Sequence, residues 1–157
     1  MAARRSLPPF AHIVLTLLFI TLVSIAVTCA QNSADPWSAA QTVQPADFAK
    51  ELSSGNSSPT ILFVGFQRLY TAGHIKGAQY HGSGSRPEGV AQIKAWAAPF
   101  SRSTNLVIYC GCCPMEKCPN IRPAFAALHD MGFRNLRVLI LPTSFAVDWA
   151  DKGLPYD

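Results

Sequence analysis

A cluster of four cysteines is the clearest chemical feature of this chain, which has five cysteines among its 157 residues. The clustered residues are Cys110, Cys112, Cys113 and Cys118. They follow the apolar run 106–109, Leu-Val-Ile-Tyr, which predicts a buried strand. A loop with two prolines comes next, and a helical pattern begins at Pro119 or Asn120. Because N–H groups at the start of a helix stabilise an anion, this order of strand, loop and helix favours reactive thiolates.

Cys110 is the candidate catalytic nucleophile, because it directly follows the predicted strand. We assign the rest of the loop to substrate binding, and its candidate residues are Gly111, Cys112, Cys113, Met115, Glu116, Lys117, Cys118, Asn120 and Arg122. Lys117 and Arg122 would favour the thiolate form of a cysteine that lies close to them. Arg122 has two alternative roles, since it either faces an anionic substrate or is a solvated helix residue.

The additional cysteines are consistent with three hypotheses. In the first, a neighbouring thiol resolves Cys110 in a thiol–disulfide or persulfide relay. In the second, two or more thiolates from Cys112, Cys113 and Cys118 hold a soft metal such as Zn or Cu(I). In the third, a disulfide from Cys112 or Cys113 to Cys118 staples the loop, as an exported protein allows. A disulfide between the adjacent Cys112 and Cys113 would be strained.

Strands and helices alternate around this loop. Apolar runs predict further strands at 42–44, 60–64, 78–80 and 136–141. Apolar residues at helical spacing predict helices at 45–52, at 88–98, from the loop to Gly132, and after Thr143 or Ser144. This alternation predicts an α/β domain whose central, mainly parallel sheet has helices on both faces. Binding sites in such sheets lie at the carboxyl ends of strands, which is where Cys110 is expected.

Residues 1–30 have the pattern of a secretory signal. Arg4 and Arg5 precede the apolar segment 10–27, which has no Asp, Glu, Lys or Arg and is followed by small residues. Three alternatives stay open, namely cleavage after Ala30, a lipoprotein signal with lipid on Cys29, and a retained membrane anchor. We therefore predict an exported protein in the periplasm or another extracytoplasmic compartment, with membrane association through this segment or a lipid on Cys29. Residues 31–41 predict a linker, and 42–157 the folded domain.

Composition and charge suit one packed domain without a nucleic-acid partner. The chain is 49% apolar and 14% charged, which is enough apolar content to build a core. Its formal net charge is +4. No basic run or basic patch interleaved with aromatic residues is present in the sequence, so the pattern argues against binding to nucleic acid.

Several segments in the right order resemble rhodanese-like domains. Residues 73–78, Gly-His-Ile-Lys-Gly-Ala, are similar to a motif of that family, with Arg68 and Tyr70 at a fitting distance before it. The strand that ends at Cys110 is similar to the family's active-site strand. The segments 128–136 and 149–155 resemble its later helix end and its carboxyl-terminal signature. The likeness extends over residues 42–156.

The resemblance implies a rhodanese-like fold and a sulfurtransferase. It implies that Cys110 accepts sulfane sulfur as a persulfide and passes it to a nucleophile. The partners would be a small sulfur donor and a thiol or other nucleophilic acceptor, and no cofactor is predicted. In the family, the histidine that corresponds to His74 is mostly structural.

The loop departs from the usual pattern of that family. It is longer than usual, the Arg at its end is missing, and Asn120 stands near that place, which puts thiosulfate in doubt as a substrate. Phosphatases of this fold place an Arg six residues after the Cys, and no cysteine here has an Arg at that spacing. The alternative function is a non-catalytic module that binds a soft metal or a partner through the loop.

Overall fold

A parallel sheet forms the centre of the domain. The computed structural model describes residues 35–55 and 58–157, so the predicted signal and Cys29 lie outside the described residues. The five strands are β1 (Thr42–Val43), β2 (Thr60–Phe63), β3 (Gln79–Tyr80), β4 (Leu106–Tyr109) and β5 (Leu136–Leu139). Their order across the sheet is β1-β5-β4-β2-β3, and each neighbouring pair is parallel. The predicted α/β class and parallel sheet are therefore confirmed.

In the described part of the chain, five helices connect or follow the strands. They are α1 (Pro45–Ser54), α2 (Gln67–Ala72), α3 (Pro87–Ala97), α4 (Ile121–Asp130) and α5 (Phe145–Asp148). Proline begins α1 and α3, where its missing N–H costs nothing. The hydroxyl of Ser144 caps α5 by accepting a hydrogen bond from the N–H of Val147 at 3.2 Å. Short 3₁₀ turns lie at Ala39–Gln41, Met115–Lys117 and Ala150–Lys152.

Helices cover both faces of the sheet because successive strand residues point to opposite sides. In β4, Leu106 and Ile108 pack into one apolar cluster with residues from α3 and α4. Val107 and Tyr109 pack into a second cluster with Phe48 of α1 and Trp149. Since all four residues of β4 are fully buried, this strand is the centre of the fold.

Most predicted elements are found within two residues of their expected ends, and α2 is the helix that the sequence did not indicate. Its residues Gln67 and Arg68 are exposed, while Leu69 and Tyr70 are half-buried, so it has no continuous apolar face. The segment before β1 contacts the domain through Trp37, whose ring lies 5.4 Å from that of Phe125. Among residues 35–55 and 58–157, no helix has the length and apolar character needed to cross a bilayer.

Candidate active site

Cys110 lies at the carboxyl end of the central strand, and Gly111 turns the chain sharply after it. Cys110 is 3% exposed. Gly111 has a φ of +69°, and an added Cβ would lie 2.7 Å from the Cβ of Phe145. The Gly111 carbonyl accepts a hydrogen bond from the N–H of Phe145 at 3.0 Å. Both the backbone conformation and the close approach of α5 therefore require glycine at this position.

Arg122 holds the cysteine loop in place. Its guanidinium donates hydrogen bonds to the carbonyls of Met115, at 3.1 Å, and Cys118, at 3.4 Å. It also forms a 2.6 Å ion pair with Asp35 and lies over the ring of Trp37. The sequence permits two roles for Arg122, since it either binds an anion or is solvated. The structure gives it a third role, in which it fastens the loop to α4 and to the segment before β1.

The sulfur atoms of Cys110, Cys112 and Cys118 form a compact group, which we call the sulfur triangle. All three Sγ atoms lie within 4.8 Å of one another, and those of Cys112 and Cys118 are 3.9 Å apart. The Sγ of Cys113 lies 3.1 Å from that of Cys112 but outside the triangle. All four residues are free thiols in this structure.

Asn120 connects this sulfur triangle to the opposite loop. Its side chain is fully buried, and Nδ2 donates to the Sγ of Cys110 at 3.5 Å and of Cys112 at 3.6 Å. Its Oδ1 accepts hydrogen bonds from the Oγ of Ser83 at 2.7 Å and the N–H of Ser85 at 3.1 Å. Asn120 therefore fixes two of the three sulfurs, a role that depends on residues far away in the sequence.

The pKa values of the three thiols of the triangle are shifted in different directions. Hydrogen bonds from the Cys110 thiol to Cys112 and Cys118, together with burial, raise the pKa of Cys110 far above its usual value. The same bond from Cys110 lowers the pKa of Cys112 to about 5, against the opposing effect of burial. A separate hydrogen bond from Cys110 to Cys118 lowers the pKa of Cys118, and hydrogen bonds from the backbone of Asn120 and Ile121 act in the same direction. Burial and the hydrogen bonds among the thiols therefore move the pKa values of Cys110 and Cys112 in opposite directions.

A pocket of about 310 Å³ opens beside Cys110 and Cys112. Gly111 lines it too, and most of its wall is apolar, with side chains from Phe63, Leu69, Phe145 and Ala146. None of its lining residues is Asp, Glu, Lys, Arg or His. A ligand in this pocket would meet cysteine sulfur, hydrocarbon and the Tyr156 side chain, but no Asp, Glu, Lys, Arg or His.

The predicted loop residues separate into three groups. Cys110, Gly111 and Cys112 line the pocket. Cys118 and Asn120 are buried, whereas Cys113, Met115 and Arg122 are partly buried. Glu116 and Lys117 are exposed, and none of the residues in these last two groups lines the pocket.

His74 supports the carboxyl-terminal segment. Its Nδ1 lies 2.9 Å from the Tyr70 carbonyl, and its ring stacks on the Tyr70 ring. Its backbone N–H and carbonyl both pair with Asp157 at 2.9 Å. These contacts give His74 a structural role.

Two solved structures share this architecture. One is the solution structure of the rhodanese-like domain of the Alr3790 protein from Anabaena, with 21% identity and a TM-score of 0.55; the match covers 74% of this chain and 78% of that one. The other is the crystal structure of the BH2092 protein from Bacillus halodurans, with 20% identity and a TM-score of 0.58, covering 74% and 75%.

No protein-family model matches the sequence, and no curated protein matches it. At identities near 20%, the likeness to the solved structures concerns the fold. Together with the five-stranded parallel sheet and the position of Cys110, it shows that this chain has a rhodanese-like fold with four cysteines in the loop after its central strand.

Proposed function

We propose that this protein is a sulfurtransferase in which Cys110 carries sulfur as a persulfide. The observation that supports this function best is the position of Cys110 at the end of β4 (Leu106–Tyr109), beside a pocket and a second thiol. A nucleophile at the carboxyl end of a central strand is where parallel sheets place their chemistry. The rhodanese-like fold is in keeping with this activity and does not by itself establish it.

The reaction has two displacement steps and needs no external oxidant. In the first, the Cys110 thiolate attacks the outer sulfur of a donor persulfide, R–S–SH. A bond forms between Sγ and that sulfur, the S–S bond of the donor breaks, and R–S⁻ leaves. In the second, an acceptor thiolate attacks the outer sulfur on Cys110 and carries it away, which restores the Cys110 thiolate.

The neighbouring groups have separate parts in this chemistry. Cys112 places a second sulfur within 4.8 Å of the Cys110 Sγ, beside the pocket that the donor enters. The amide of Asn120 stays within hydrogen-bonding reach of the Cys110 Sγ, at 3.5 Å, and stabilises the charge that develops on sulfur. Asn120 is thus a positioning and stabilising residue for the nucleophile.

The pocket favours an organic donor with an apolar group over thiosulfate. A doubly charged anion that enters the pocket beside Phe63 and Phe145 would lose its hydration without gaining a charged partner, since no lining residue is cationic. An alkyl or aryl persulfide instead places hydrocarbon against hydrocarbon. The preferred donor is therefore a small organic persulfide, and the acceptor is a small thiol of similar character.

The protein acts outside the cytoplasm in this proposal. The support comes from the sequence of residues 1–30 alone, in which Arg4 and Arg5, the apolar segment and Cys29 occur in the order of a secretory signal. Mass spectrometry of the protein isolated from its native source tests this. A mature chain that begins near Gln31, or at a lipid-bearing Cys29, supports export, whereas an intact Met1 on a cytoplasmic protein contradicts it.

Steady-state kinetics test the transfer activity itself. Sulfur transfer from an organic persulfide to a small thiol is measured for the wild type and for Cys110→Ser, with circular dichroism to show that both are folded. We expect the serine variant to fall to the uncatalysed rate, because its hydroxyl cannot hold sulfane sulfur. Equal rates for two folded proteins would overturn the proposal.

A further inference from the structure

The geometry points to a second use of the sulfur triangle: we propose that Cys110, Cys112 and Cys118 bind one Cu(I) ion through their three thiolates. This goes beyond the proposed sulfur transfer, since it is a binding equilibrium that involves no persulfide. Its basis is the convergence of three sulfur atoms from two ends of one loop to within 4.8 Å of one another.

The separations fit a metal at the centre of the triangle. A metal–thiolate bond is about 2.3 Å long, so three ligands in a plane around one ion lie about 4 Å apart. The Sγ atoms of Cys112 and Cys118 are already 3.9 Å apart. All three pairs lie within 4.8 Å, so binding requires a shift of less than 1 Å in any pair.

The type and number of ligands favour Cu(I). Thiolates are soft ligands that select Cu(I), zinc and iron–sulfur clusters over hard cations. Structural zinc sites are almost always four-coordinate. Within the described residues, the group that could hold an ion has three members, and neither Cys113 nor any His, Asp or Glu belongs to it. Three thiolates without a fourth ligand suit a trigonal Cu(I) ion.

The surroundings are built to stabilise the charge of such a centre. Three thiolates and one Cu(I) carry a net charge of −2, which a buried site must offset with hydrogen bonds. The Asn120 amide donates toward the Sγ of Cys110 at 3.5 Å and of Cys112 at 3.6 Å. Donors in this second layer orient metal ligands and tune their basicity. On binding, the thiol protons are released to solvent.

Copper and sulfur compete for the same atom in this site. The Cys110 Sγ is one corner of the triangle and is also the proposed sulfur carrier. A Cu(I)-loaded protein therefore cannot form the persulfide. The two functions are nevertheless tested separately, since copper binding is measured without any sulfur donor and sulfur transfer is measured on metal-free protein.

The test is a Cu(I) titration of the reduced full chain under anaerobic conditions against a chromogenic Cu(I) chelator. We expect one Cu(I) per wild-type chain, and X-ray absorption should show sulfur ligands at about 2.3 Å. Cys118→Ser and Cys112→Ser should each weaken binding by more than the ~10–100-fold that loss of an outer contact costs. Cys112 is less buried than Cys118, so its variant keeps the test valid if Cys118→Ser does not fold.

Cys113→Ser is the matched control, because its sulfur lies beside Cys112 yet outside the triangle. We expect it to bind Cu(I) as the wild type does. Two results would overturn the proposal: a wild-type chain that does not compete with the chelator, and a Cys113→Ser variant that loses as much affinity as Cys112→Ser. Stronger binding of zinc than of Cu(I) by the triangle would overturn the choice of metal.

Discussion

The side-chain amide of Asn120 donates a hydrogen bond to the Sγ of Cys110 across 3.5 Å. The same side chain accepts the hydroxyl of Ser83 at 2.7 Å, so one buried residue connects the cysteine loop with the loop after β3 (Gln79–Tyr80). The Asn120 Nδ2 contacts sulfur, whereas its Oδ1 contacts only the Ser83 loop. A change at Ser83 removes an Oδ1 contact and keeps the sulfur contacts, whereas a change at Asn120 removes both.

Asn120→Ala should reduce both stability and sulfur transfer. It leaves the Ser83 hydroxyl and the Ser85 N–H without their buried acceptor, which costs about 2–3 kcal/mol in the free energy of unfolding. It also removes the N–H donor from the Cys110 sulfur, and we expect transfer to fall by about 10-fold or more. Urea denaturation measures the loss of stability. The transfer rate, together with the alkylation rate of Cys110, measures the effect on the sulfur.

Ser83→Ala is the control for that substitution. It removes the 2.7 Å bond to Asn120 but leaves the amide beside both sulfurs, so stability should fall by about 1 kcal/mol. The alkylation rate and the transfer rate should stay close to those of the wild type. If Ser83→Ala loses as much transfer activity as Asn120→Ala, the amide of Asn120 has no direct effect on sulfur.

Gly111→Ala should destabilise the domain strongly. The left-handed backbone at φ +69° costs an alanine about 1–2 kcal/mol, and the contact with the Cβ of Phe145 at 2.7 Å adds about 1–3 kcal/mol of overpacking. Gly132→Ala is the matched control, because Gly132 has φ +88° and no atom within 4 Å of its added Cβ. Only the backbone cost, about 1–2 kcal/mol, should appear there. Equal losses in urea denaturation would mean that α5 (Phe145–Asp148) does not press on this turn.

Arg122→Ala should loosen the cysteine loop without changing the fold. The variant loses hydrogen bonds to the carbonyls of Met115 and Cys118 as well as the ion pair with Asp35. We expect faster amide exchange in the loop and faster alkylation of Cys118, which is 4% exposed in the wild type.

Asp35→Asn separates the ion pair from the loop contacts. It removes only the charge of a partly exposed pair, which is worth about 0–1 kcal/mol. The loop should then exchange and react nearly as in the wild type, because Arg122 still donates to both carbonyls. Identical loosening in both variants would assign the effect to the segment around Asp35 rather than to the loop carbonyls.

Ala146→Arg should shift the donor preference toward thiosulfate. Ala146 lines the pocket that contains no charged side chain, so an arginine there supplies the missing partner for an anion. The ratio of kcat/KM for thiosulfate to that for an organic persulfide should rise, by about 10-fold for 1.4 kcal/mol of new attraction. Ala146→Gln adds a side chain of similar reach without charge and should leave the ratio unchanged. A wild-type enzyme that already prefers thiosulfate would contradict the donor assignment.

The strands and the longer helices follow from local sequence pattern. The run Leu106 to Tyr109 has no polar residue because both faces of the central strand are covered, and that is why it could be identified. Helix α4 (Ile121–Asp130) was visible because Ile121, Phe125 and Leu128 recur on one side and are buried. Helix α2 (Gln67–Ala72) was not visible, since it has only six residues and two exposed polar residues at its start.

The site could be located from the sequence, but its internal contacts could not. The position of Cys110 after an apolar strand is a local feature. The burial of Asn120 depends on Ser83 and Ser85, which are more than 30 residues away, and the clamp by Arg122 depends on Asp35. The charge distribution among the thiols depends on distances of a few ångströms within a folded loop, which spacing along the chain does not determine.

The most direct test of the account is a single-turnover reaction of the metal-free protein with an organic persulfide, followed by intact-protein and peptide mass spectrometry. We predict that one sulfur atom is added to the wild-type chain, that it maps to Cys110, and that a small thiol removes it. The added sulfur should be absent from Cys110→Ser. A chain that never gains sulfur, or that gains it equally on Cys110→Ser, would contradict the central claim that Cys110 is the sulfur carrier.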